Sequence, residues 1–202
     1  MNKYLVLVIC VIMLLLGLTG CAYQDESSSS LMAKELVNVS KVLIFEDLRF
    51  PAVSVKTKAG SAKEAKIVEF RPNTIALEFL GSSDREAYIS FQLPHERLDN
   101  TTIFPHFHWS PEDTTSGSVN WCIDISCSNI NDIFPTTTTY CVDDVSDETL
   151  WKHQMTNMIV VHNNLGASAM CSLRLWRNSS DSYSGSAYLH EFDVHYIKYG
   201  ID

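Results

Sequence analysis

At 202 residues, with 46% hydrophobic and 19% charged residues, the chain has the size and composition of one globular domain plus an address label. Its net charge of −9, with no cluster of Lys or Arg anywhere, excludes a nucleic-acid surface, which would need a basic patch to neutralise phosphates.

The chain begins with a different material from the rest. Lys3 and the amino terminus form a short positive region, and residues 4–18 are an apolar run. That run is too short for a spanning helix, which takes roughly 18 or more apolar residues, and it fits the hydrophobic part of a secretory signal. The motif that follows, "LTGC" at Leu18-Thr19-Gly20-Cys21, resembles the lipobox of bacterial lipoproteins. The resemblance implies cleavage before Cys21, with lipid (palmitate among the acyl chains) on its thiol and new amino terminus. The small residues Thr19 and Gly20 suit a peptidase that grips an extended chain. The expectation is therefore a signal peptide over residues 1–20 and an exported protein anchored to the cell envelope, at the outer membrane if the host has one. Residues 22–33, "AYQDESSSSLMA", read as a flexible tether, too acidic and serine-rich to bury apolar surface. Lipidated Cys21, tether and lead-in occupy 21–47, with residues 33–48 a short helix or an extended entry. The folded domain is expected over 48–202.

From residue 53 onward the pattern is short alternating runs separated by turn residues. "VSVKTK" (53–58), "AKIVEF" (65–70), "TIALEFL" (74–80) and "EAYISFQL" (86–93) come first. In the last, Ala87, Ile89, Phe91 and Leu93 share one face and Glu86, Tyr88, Ser90 and Gln92 the other. "VNWCIDISC" (119–127), "TTTTYCV" (136–142), "TNMIVVH" (156–162), "ASAMCSLRLWR" (167–177) and "GSAYLHEFDVHYIKY" (185–199) continue the habit. Strict alternation in the closing run sets Tyr188, His190, Phe192, Val194 and Tyr196 against Leu189, Glu191, Asp193, His195 and Ile197. About eight to ten strands with almost no helical periodicity predict an all-β fold, a jelly-roll-like antiparallel sandwich. Once Cys10 leaves with the signal and Cys21 is lipidated, Cys122, Cys127, Cys141 and Cys171 remain, and export allows any of three pairings.

Two long stretches carry a resemblance. "FQLPHERLDNTTIFPHFHWSPEDTTSGSVNWCIDISCSNINDIFPTTTT" and "SLRLWRNSSDSYSGSAYLHEFDVHYIKYG" resemble a group of tailed-bacteriophage proteins. The shared marks are an "LPH" strand end, an H-x-H-W strand, "DIFP" before a threonine run and a closing "EFDVHY", over residues 48–199. The resemblance implies a virion- or tail-associated β-sandwich and supplies no catalytic residue. The lipobox departs from that pattern, because virion parts assemble without export.

Candidate sites are few. His106 and His108, two apart on a strand, point to one face and could chelate a metal with a third ligand from His95, Glu191, Asp193 or His195. A cupin-type site would also require a further Glu near the H-x-H motif, and Glu112 sits instead in a Pro-containing loop. The expectation is that both imidazoles, like His195, serve in a hydrogen-bonded polar layer against the closing strand, with no metal and no other cofactor. No G-x-S-x-G motif, activated cysteine or phosphate loop is present, and the acidic pairs Asp143-Asp144 and Asp147-Glu148 read as solvated loop. Tyr183, among small polar residues, and Trp151 are candidate ligand-contacting aromatics, and the favoured reading of each is that it caps an edge of the core. The sequence thus predicts a non-enzymatic surface module of phage or prophage origin, bound to the membrane through Cys21. It would engage a protein or glycan partner, as in receptor occupation or superinfection exclusion. The alternatives are a virion structural or receptor-binding protein with a fortuitous signal, and a metal-dependent or carbohydrate-active jelly-roll enzyme. Jelly-roll modules of this kind often trimerise, and a homo-oligomer is compatible with the sequence.

Overall fold

The computed structural model describes residues 42–160 and 164–200. The expected signal, the expected lipid site Cys21 and the expected tether lie outside the described residues. Ten strands follow in chain order: β1 (Val42–Pro51), β2 (Lys66–Arg71), β3 (Thr74–Phe79), β4 (Arg85–Gln92), β5 (Phe104–Pro111), β6 (Ser118–Ser128), β7 (Thr138–Val145), β8 (Gln154–Asn157), β9 (Met170–Arg177) and β10 (Ala187–Gly200). They form two antiparallel sheets. A six-stranded sheet runs β2-β3-β10-β5-β8, with β1 also paired to β10, and a four-stranded sheet runs β4-β9-β6-β7. The expected β-sandwich is the fold.

The core between the sheets comes from the inward half of each alternating strand. Ala87, Ile89, Phe91 and Leu93 are buried, as their shared face requires. Phe107 and Trp109 point inward from β5, and the Phe107 ring stacks on Trp121 of β6 at 4.7 Å. Phe79 meets the same indole edge-on at 5.1 Å. Burying each such ring contributes about 1.5–3 kcal/mol, which is why these strands commit their aromatics to one face.

Several local expectations are corrected. The segment 53–58 is no strand: Pro51 ends β1, a 3-10 turn occupies Ala52–Ser54, and Lys56 makes only an isolated bridge to Tyr88. Of the two forms expected for the lead-in, the described part takes the extended one. Val42–Pro51 is a strand, so the folded body extends to residue 42 and takes in part of the expected lead-in. Asp143 and Asp144 lie within β7, and Asp144 Oδ2 accepts hydrogen bonds from Trp109 Nε1 (3.1 Å) and from the Thr156 hydroxyl. The four cysteines pair as Cys122–Cys141, joining β6 to β7, and Cys127–Cys171, joining β6 to β9.

Candidate functional site

The H-x-H motif on β5 turns Phe107 and Trp109 into the core, so His106 and His108 must emerge on the outer face of the six-stranded sheet. β10 runs antiparallel beside it and sets Asp193 opposite His106 and Glu191 opposite His108. The pairing then shifts: Leu189 faces Trp109 and Glu191 faces His108, so His190 is an extra residue in a β-bulge. Strict alternation had placed His190 with Phe192 and Val194. The bulge corrects this, because Leu189 stays inward while His190 and Glu191 both leave the core. Five of the chain's seven histidines (His106, His108, His153, His190 and His195) consequently gather on or beside one sheet face.

His108 sits at the middle of this row. Its Nδ1 lies 2.9 Å from His153 Nε2 and its Nε2 lies 3.1 Å from Asp193 Oδ2. Both contacts are satisfied when His153 Nε2–H donates to His108 and His108 Nε2–H donates to Asp193. The two rings stack with centroids 5.1 Å apart. His190 Nε2 meets the Ser110 hydroxyl at 2.9 Å, and burial, followed by the neighbouring His153 and His108, holds its pKa below the ordinary imidazole value. From β1, Arg49 makes a bidentate pair with Glu191 (2.7 and 3.1 Å). Arg49, His108, His153, His190 and Glu191 line a cavity of about 440 Å³.

An aromatic flank adjoins it. The Phe70 ring stands edge-on to His190 (4.6 Å) and Tyr188 (5.4 Å), and Trp151 lies 6.3 Å beyond Phe70. The Arg71 guanidinium lies 4.0 Å above the Trp151 ring, which is 37% exposed.

On the other side of Asp193 the geometry changes. His106 and Asp193 are 6% and 4% exposed, and His106 Nδ1 stands 3.1 Å from Asp193 Oδ1. That is ion-pair distance, yet neither atom makes a hydrogen bond. Burial would raise the Asp193 carboxyl, and His106 and His108 outweigh it, holding the group below its usual range. His195 packs edge-on against His106 with centroids 3.9 Å apart, and its Nε2 lies 3.8 Å from Asp193 Oδ2 and 2.7 Å from Asp47 Oδ1. His108 is thus hydrogen-bonded through both ring nitrogens, whereas His106 meets Asp193 in a contact too poorly aligned for a regular hydrogen bond.

The remaining sequence candidates fall elsewhere. Tyr183 takes the core role and not the ligand-contacting one: it is 1% exposed and belongs to the interior. Its loop closes on Gly117, where a Cβ would stand 2.6 Å from the Ser182 carbonyl oxygen, so a small residue there lets the ring be swallowed. The Tyr183 hydroxyl donates to Asp113 Oδ1 and accepts from the Asp113 amide, and its pKa is pushed up to about 12, chiefly by burial. His95 is engaged away from the row, 2.6 Å from the Ser168 hydroxyl. Sequence reasoning missed Asp47, Arg49, His153 and the orientation of His190. Their only signal is that each is polar beside a strand whose other face is apolar.

No family model matches the chain, and no curated protein matches it. Among solved structures it is similar to a family 35 carbohydrate binding module from Clostridium thermocellum, at 10% identity and TM-score 0.44, covering 74% of this chain and 97% of that one. It is also similar to carbohydrate-binding module CBM36 in complex with calcium and xylotriose, at 10% identity and TM-score 0.37, covering 73% and 98%. A third likeness is to TmCBM61 in complex with beta-1,4-galactotriose, at 10% identity and TM-score 0.36, covering 77% and 88%.

Proposed function

We propose that the chain is an exported, lipid-anchored, non-catalytic β-sandwich that binds a glycan through the outer face of its six-stranded sheet. The observation that carries this reading is the juxtaposition of a polar cavity (Arg49, His108, His153, His190, Glu191) with the aromatic flank of Phe70, Tyr188 and Trp151. A sugar offers an apolar ring face and a rim of hydroxyls, and such a surface supplies aromatic planes beside directed donors and acceptors. The cavity's ionic groups are already committed to one another, Arg49 to Glu191 and His108 to His153, which suits recognition better than proton transfer. The two disulfides support export, because such bonds persist in oxidising compartments. The lipobox supports attachment through Cys21. The phage resemblance supports a phage or prophage origin, in which an anchored module occupying a host surface receptor would exclude later phages.

The test is glycan-array binding by the full-length protein in detergent, beside Trp151→Ala and Phe70→Ala variants. Saturable binding to a restricted set of glycans, lost or weakened at least about tenfold in both variants, is expected; a tenfold loss corresponds to about 1.4 kcal/mol of contact. Binding that both variants retain would remove this face from the reading. Robust hydrolysis of a bound glycan, abolished by one substitution in the cavity, would replace it with an enzyme.

A further inference from the structure

We infer that His106, Asp193 and His195 form a three-ligand binding site for a single borderline divalent transition-metal ion of the zinc class, with the fourth position open to water. The site is distinct from the proposed glycan cavity and does not rest on it.

A buried imidazole nitrogen and a buried carboxylate oxygen, His106 Nδ1 and Asp193 Oδ1, are each without a hydrogen bond although they face each other at 3.1 Å. Buried polar atoms are ordinarily paired, and an aligned hydrogen bond is the inexpensive solution at that distance. The pair is placed as two ligands of one cation would be: donors about 2.0–2.1 Å from a tetrahedral centre lie roughly 3.3 Å from each other. His195 brings the third donor. The candidate ligand atoms of His106, Asp193 and His195 all lie within 4.8 Å of one another. Asp47 Oδ1 lies 2.7 Å from His195 Nε2, an ion-pair contact that an incoming ion would have to displace. Two imidazoles and one carboxylate are a nitrogen–oxygen set suited to zinc, cobalt or nickel and too rich in nitrogen for calcium or magnesium.

The surroundings support the assignment. Asp193 is oriented from behind, because His108 Nε2–H holds its Oδ2 and His153 holds His108. Outer hydrogen bonds of this kind fix a ligating carboxylate in place. The Phe45 ring, 5.6 Å from Phe104 and 6.4 Å from His195, gives the site an apolar wall. The topology makes the arrangement rigid on one side and adjustable on the other: His106, Asp193 and His195 sit on paired central strands, whereas Asp47 arrives on β1.

The experiment titrates the untagged full-length protein, stripped with EDTA and held in detergent, with Zn²⁺ by calorimetry and with Co²⁺ by absorption. One equivalent per chain is expected, with the visible ligand-field bands of four-coordinate Co²⁺. His106→Ala, Asp193→Asn and His195→Gln should each weaken Zn²⁺ binding by about 100-fold or more. His153→Ala, which acts only through His108, should weaken it about tenfold, the lower end of what an outer hydrogen bond contributes. His95→Ala, engaged elsewhere, should bind as the parent does. His195→Gln alters a part-exposed side chain and keeps the fold if buried variants do not. Absence of saturable binding by the parent chain overturns the inference, as does binding that survives Asp193→Asn and His195→Gln. Glycan binding that fails while Zn²⁺ binding persists removes only the earlier reading.

Discussion

His190 shows how a single inserted residue acquires chemistry. Placed outside the alternation by the bulge, it is half-buried against Ser110 and Phe70, with His108 and His153 beside it and Arg49 and Glu191 on the same cavity wall. Burial is the first cause of its lowered pKa, and His153 and His108 add to it. As pH falls through about 6.5, the unfolded chain accepts a proton that the folded chain still refuses, so protonation favours unfolding. Stability is therefore expected to fall below that pH and to be insensitive to this group above it. Urea midpoints measured from pH 7.5 down to 5.5 should show a shallower decline in His190→Gln than in the parent. Arg177 makes the opposite case of a charge fully committed. It is wholly buried, holds Asp181 through two bonds of 2.8 and 2.9 Å, and donates to the carbonyls of Phe79, Gly185 and Tyr183. Arg177→Met strands the Asp181 carboxylate and three carbonyls, and should cost about 3–5 kcal/mol. In a chain of this size that lowers the melting temperature by roughly 10 °C, read by thermal denaturation.

Among the elements, β6 bears the most constraint. It lies between β7 and β9, and its Cys122 and Cys127 are covalently tied to one neighbour each. The enclosed loops span 19 and 44 residues, so each bridge should contribute about 3–4 kcal/mol on a chain-entropy account. The Cys127→Ser/Cys171→Ser double variant, measured against denaturant, should lose that amount; a loss below 1 kcal/mol would place the native contribution elsewhere. The strands themselves were legible wherever one face is buried, because alternation is dictated by burial: Glu86 to Leu93 and Val119 to Cys127 read correctly for this reason. What defeated the reading was register. The bulge at His190 is invisible in the alternation it interrupts. The approach of His153 to His108 depends on β8 joining β5, and that of Arg49 to Glu191 on β1 joining β10. His106, His108, Asp193 and His195 were legible together because two long strands carry them all at even spacing.

At the scale of the molecule, the proposed address is tested at one atom. The full chain expressed in a bacterial host should incorporate labelled palmitate and fractionate with membrane, and Cys21→Ser should do neither. Equal labelling in Cys21→Ser would remove the anchor from the reading. The order in which strands enter the fold has a mechanical result. The described body begins with β1, so tension on the residues before it is delivered to that strand. β1 is held by backbone pairing to β10, by Leu48 and Phe50 packed against the core, and by exposed ion pairs, among them Lys198–Glu46 and an Arg49 whose side chain is 67% exposed, whereas β6, β7 and β9 are stapled. Exposed pairs of this kind resist little. Under load β1, which no disulfide holds, is expected to part before the stapled strands, taking Arg49 from Glu191 and Asp47 from His195. A molecule pulled by its leading end would loosen the proposed binding face before it lost its shape.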